Sequence, residues 1–124
     1  MRAQVSIEIV VILVALIVTF TVFMILYQNQ ATNLQQTQDK LQATDVAFKI
    51  ANAINYVYLG GDGSSYSLAV VAPRINITAA GNFVTAERNT VFFQAPLVVN
   101  ITNYTINNSG EIRIRNVGGN IVIN

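Results

Sequence analysis

Any chemistry in this chain must come from six carboxylates and seven cationic side chains, because the 124 residues include neither cysteine nor histidine. The thiolate and imidazole metal ligands are therefore missing, as are the commonest general base and any disulfide. Asp39, Asp45, Asp62, Glu87 and Glu111 show no close pairing along the chain. They indicate neither a general acid–base pair nor a calcium cage. Asp39 and Asp45 read as solvated residues beside Lys40 and Lys49. Gly60-Gly61-Asp62-Gly63-Ser64 follows a helical pattern and leads into a strand. That order is the reverse of a phosphate-binding loop, so the segment reads as a flexible connector. Arg74, Arg88, Arg113 and Arg115 are scattered and the net charge is only +1, which argues against a nucleic-acid partner. The expectation is a protein that is not an enzyme and takes no metal or cofactor.

The remaining polar residues are carried on two kinds of element. From Ile9 to Leu26 the only polar side chains are Thr19 and Thr21. As a helix rising about 1.5 Å per residue, this run spans a bilayer core of roughly 30 Å. Each threonine hydroxyl can bond a carbonyl one turn back. Arg2 precedes the run and no further cation appears until Lys40, which places the N-terminus in the cytoplasm and the chain after Tyr27 outside. Tyr27-Gln28-Asn29-Gln30 is no small-x-small cleavage site, so the segment stays attached.

No glycine or proline occurs before Gly60, and the pattern predicts one helix over 4–59, roughly 80 Å long. Its weak point is the polar stretch 28–33, of modest helix propensity, where a bend could fall. Leu34, Leu41 and Phe48 repeat at heptad spacing, and Ala43, Val46, Ala47, Ile50, Ala51, Ile54, Val57 and Tyr58 form a broader apolar stripe. The first half is apolar on all faces and needs lipid or other helices around it. The stripe of the second half should cover a sheet.

After Gly63 the period becomes alternating, and strands are expected over 66–72, 74–79, 83–86, 91–94, 97–106, 111–117 and 121–123. The apolar phase slips between Ile101 and Tyr104, which predicts a bulge near Thr102. Ile112 and Ile114 should face inward, with Glu111, Arg113 and Arg115 in water. The last three strands read as successive antiparallel hairpins. A sheet this small is marginal alone and should take the helix stripe into its core. Four Asn-x-Ser/Thr sequons begin at Asn76, Asn100, Asn103 and Asn107, all in the part expected outside the membrane. Asn107, in an expected turn, is the best exposed; Asn100 is assigned to the face of Val98 and Tyr104, which counts against it.

The residues before the apolar run carry a resemblance. Gln4-Val5-Ser6-Ile7-Glu8 resembles the Gln-x-Ser-x-Glu start of archaeal type IV-like pilins with a class III signal peptide. The resemblance implies that a prepilin peptidase cuts between Ala3 and Gln4. The chain then divides into leader 1–3, helix 4–59 and extracytoplasmic β-domain 60–124. It implies an α+β fold, a lollipop-shaped pilin with a C-terminal antiparallel β-sandwich of immunoglobulin-like type. It also implies a membrane-inserted precursor and pilus assembly machinery. The product is a homopolymer, an adhesive helical filament at the cell surface, often N-glycosylated. Glu8 would neutralise the freed amino group of a neighbour's Gln4 and set the axial register, rather than sit in interfacial water near its own helix N-terminus. Swimming-filament subunits begin with a Gly-Ile-Gly-Thr type stretch, which this chain lacks. The competing readings are a minor pilin and a monomeric membrane-anchored surface domain with a ligand-binding β-domain.

Overall fold

With nothing to break it before Gly60, the chain forms one helix, α1, over Arg2–Leu59. The computed structural model describes the backbone of residues 2–106 and 109–124, and the side chains of residues 4–106 and 109–124. The stretch 28–33 is helical throughout, and the Thr32 hydroxyl donates to the Gln28 carbonyl at 3.0 Å. The chain divides into two units, Met1–Gln36 and Thr37–Asn124.

In the first unit every described side chain is exposed. Thr19 and Thr21 donate to the carbonyls of Ala15 and Ile17, each at 2.8 Å. Their hydroxyls are thus satisfied within the helix, as the sequence predicts.

In the second unit five strands follow the helix: β1 Ser65–Val71, β2 Asn76–Arg88, β3 Val91–Ile106, β4 Ser109–Val117 and β5 Asn120–Ile123. They form a three-stranded sheet in the order β1-β4-β5 and a two-stranded sheet of β2 and β3, every pairing antiparallel. The architecture is α+β. Seven short strands were expected, and two pairs of them have fused. Gly81 adopts a φ of 59° inside β2, where a left-handed glycine makes a bulge rather than a turn. Pro96 pairs opposite Phe83 on a strand whose other edge has no neighbour strand, a place that tolerates its missing N–H.

The expected bulge near Thr102 is present. Between Ala79↔Tyr104 and Gly81↔Ile101, two steps along β2 match three along β3. A larger shift follows between Ile101 and Pro96. There the N–H of Val98 donates to Asn55 Oδ1 on α1 at 3.0 Å, and Asn55 Nδ2 reaches the Pro96 carbonyl at 3.5 Å. The helix thus supplies partners that β2 does not. The expected hairpin between the strands ending at Ile106 and beginning at Ser109 is not formed. β4 pairs instead with β1, from Ser65↔Arg115 to Val71↔Ser109, and of the two hairpins expected among the last three strands β4 and β5 make theirs. Ile112 and Ile114 of β4 face inward as expected, opposite Leu68 and Tyr66 of β1, and are buried in the core.

The core lies between the helix stripe and both sheets. Ala43, Ala47, Ile50, Ala51, Ile54 and Val57 are buried with Val84, Ala86, Ile101, Ile114 and Ile121 in one apolar cluster. Burying each large aliphatic side chain contributes about 2 kcal/mol. The heptad series lies off this face: Leu34, Leu41 and Phe48 are all exposed, Leu41 at 63%. Ala43, Ala47 and Ala51 are almost fully buried on the core face of α1.

Candidate functional site

Gln4 and Glu8 stand one turn apart on α1, both exposed, and face the same side of the helix. Glu8 lies beyond the first turn, which holds no acidic residue, so the helix dipole gives it little support. From Val5 to Tyr27 the large apolar side chains are exposed on every face. This helix is long and apolar enough to cross a membrane. Ala3 falls within α1 by its backbone.

Asn76 opens β2, and Asn100 and Asn103 lie on β3, all three exposed. Asn107 lies outside the described residues. Asn100 does not share the face of Tyr104. The bulge turns Tyr104 inward, where its hydroxyl donates to the Ile121 carbonyl at 3.3 Å, while Asn100 points outward with Val98. Thr78 and Thr105, the hydroxyl residues of two sequons, stand opposite each other across β2 and β3. Asn76 and Asn103 therefore share one outward face.

Two polar knots escaped sequence reasoning. Asp39 is not a solvated residue: it is 6% exposed on the buried face of α1. Asn89 Nδ2 donates to its Oδ2 at 2.8 Å, and Arg88 Nε stands 2.9 Å from its Oδ1. The Arg88 Nε–H is not aligned on that oxygen and makes no hydrogen bond, so the Arg88 contact is electrostatic. Asn89 can reach α1 because it takes a φ of 54° in the two-residue loop joining β2 to β3, a conformation that asparagine tolerates. Asp45 behaves as expected, exposed and paired with Lys49 at 2.7 Å.

The second knot is Asn116, 3% exposed on β4. Its amide donates to the Tyr58 carbonyl at the end of α1 at 3.4 Å, and its Oδ1 accepts from Gly119 N at 3.0 Å. Nearby, Gly118 N donates to Asp62 Oδ1 at 2.6 Å and Gly63 N to the Asn116 carbonyl at 3.0 Å. The segment after α1 is therefore a hydrogen-bonded clasp rather than a flexible connector. A signal for Asn116 was present, because it continues the inward phase of Ile112 and Ile114. Replacing Asn116 with alanine is expected to cost about 2 kcal/mol, the penalty of orphaning buried polar groups. Chemical denaturation measures the loss, and faster amide exchange at Gly119 locates it.

Among the described residues no three acidic or histidine side chains gather as metal ligands. No family model, curated protein or solved structure matches this chain.

Proposed function

We propose that the chain is the major structural subunit of an archaeal type IV-like adhesive pilus. The observation that carries this reading is the stem. An apolar helix exposed on every face follows directly on Gln4-Val5-Ser6-Ile7-Glu8. Such a surface is covered either by lipid or by copies of itself. In this reading the membrane holds the precursor, with its N-terminus in the cytoplasm. A prepilin peptidase cuts between Ala3 and Gln4, and the assembly machinery exchanges lipid for neighbouring helices. The β unit is carried on the outside of the filament at the cell surface, and its role is structural and adhesive, not catalytic. The immunoglobulin-like sandwich belongs to the proposal too. Two antiparallel sheets around one core stand behind it, with five strands against about seven in the full pattern.

Electron microscopy of surface filaments, with peptide sequencing of the sheared material, tests the reading, and N-terminal sequencing reads the cleavage directly. Filaments made of this chain and starting at Gln4 are expected. Recovery only as single molecules in lipid, with the leader intact, favours the membrane-anchored monomer instead. The exposed Asn76, Asn100 and Asn103 are the glycosylation candidates within the described residues, alongside Asn107. Glycopeptides at Asn76 or Asn103 are expected in the mass spectrum of the native protein. A spectrum of bare polypeptide alone removes the glycosylation reading.

A further inference from the structure

Arg74 combines two unusual properties. It follows Pro73 in a turn closed by Ile75 N donating to the Ala72 carbonyl at 3.1 Å, and its φ is 67°. That position favours glycine, which has no Cβ to crowd the following carbonyl oxygen, or asparagine, whose short polar side chain can hydrogen-bond locally. A glycine would relieve the strain, yet the chain holds an arginine there. The guanidinium has no ion-pair or hydrogen-bond partner among the described residues. Strain of this kind clusters where a side chain is held for a task.

The side chain borders an open cleft of about 590 Å³. Gln42 and Val46 of α1 form one wall, Val71 and Pro73 the other, and Arg74 and Arg88 supply charge. Asp45 also borders the cleft, but its carboxylate is paired with Lys49. Arg88 is offset by Asp39, although its buried Nε–H makes no hydrogen bond. Among the described residues, the unopposed charge in the cleft is therefore that of Arg74.

We propose that this cleft binds the acidic group of a saccharide, a sugar carboxylate or sulfate, with Arg74 as the anchoring cation. One unopposed cation matches one anionic group, and a guanidinium grips a carboxylate or sulfate through two parallel N–H donors. The Gln42 amide offers both a donor and an acceptor for ring hydroxyls. The exposed flanks of Val71 and Pro73 suit the apolar face of a ring, which a bare ion would leave uncovered. The volume lies within the range of about 300–1,000 Å³ usual for small-molecule sites. The site lies wholly within Thr37–Asn124 and needs no neighbouring copy, so it does not depend on filament formation.

The test is calorimetric titration of the full chain in detergent with three probes: oligogalacturonate, a sulfated heparin oligosaccharide and neutral maltooligosaccharide. Binding of at least one acidic probe, and not of the neutral one, is expected. Arg74→Gly should weaken it at least tenfold while the protein melts no lower than the parent. Arg74→Asn, which also accepts the left-handed backbone, gives the same readout if the glycine variant fails to fold. Arg113→Ala, away from the cleft, should leave binding unchanged. The proposal is overturned if Arg74→Gly binds as tightly as the parent, or if Arg113→Ala loses as much as Arg74→Gly. It is equally overturned if inorganic sulfate competes as strongly as the sugars, or if neither acidic probe binds.

Discussion

Replacing Arg88 with methionine should destabilise the β unit by about 3 kcal/mol, more than removing its partner Asp39. The asymmetry follows from burial. The Asp39 side chain is 9% exposed and that of Arg88 is 21%. Without Arg88, the carboxylate is left in the protein with only the Asn89 amide to satisfy it. An unpaired buried charge of this kind costs roughly 3–5 kcal/mol, and the remaining hydrogen bond places the effect at the low end. Asp39→Ala leaves a guanidinium that can turn to water, so about 2 kcal/mol is expected. The double variant should lose about 1–2 kcal/mol less than the two single losses added, as coupled neighbours do. For a domain of this size each kcal/mol moves the melting temperature by roughly 4–8 °C. Thermal melts of the detergent-solubilised chain therefore resolve all three variants. Strictly additive losses would show that Arg88 and Asp39 do not interact.

The position of Asp39 was legible in outline, although its role was not. The buried stripe Val57, Ile54, Ile50, Ala47, Ala43, followed backwards one more turn, arrives at Asp39. An acidic residue there reads as the wet end of an amphipathic face until a partner is known. That partner comes from a hairpin tip fifty residues away, and no local pattern announces a contact at that separation. The same limit explains the sheet order. Alternation identified which residues of β4 face inward, but both possible neighbours, β3 and β1, offered an apolar face.

Other parts of the fold were written locally. Gly60-Gly61 ends the helix because Gly61 takes a φ of 80°, the left-handed conformation that closes a helix C-terminus. The bulge near Thr102 was visible as a change of apolar phase, since a period of two cannot shift without an extra residue. Gly81 and Pro96 misled because glycine and proline usually end strands. Here each is absorbed by an irregular pairing that only the register between β2 and β3 reveals. Arg74, assigned to a strand by its neighbours Ile75 and Ile77, sits in a left-handed turn that its residue type argues against.

Changing Glu8 to glutamine is expected to abolish surface filaments while the protein continues to accumulate in the membrane. In the proposed polymer, residues 5–27 exchange lipid for neighbouring helices, and no water accompanies them. A freed amino group at Gln4 then enters an apolar bundle, where an unpaired charge costs several kcal/mol. Glu8 is the only carboxylate before Asp39, so no other side chain of this segment can neutralise that charge. The same carboxylate, if it packed into the bundle unpaired, would oppose assembly with equal force. Pairing the two makes each subunit's entry conditional on the axial position of the one before it, which sets register as well as stability. Glutamine keeps the size and hydrogen-bonding reach of the side chain and removes only the charge. Filament yield after shearing, measured against membrane-bound protein, isolates that term. Normal filaments from Glu8→Gln would mean that apolar packing alone sets the register. A variant that is lost from the membrane as well would point to a defect in insertion rather than in assembly.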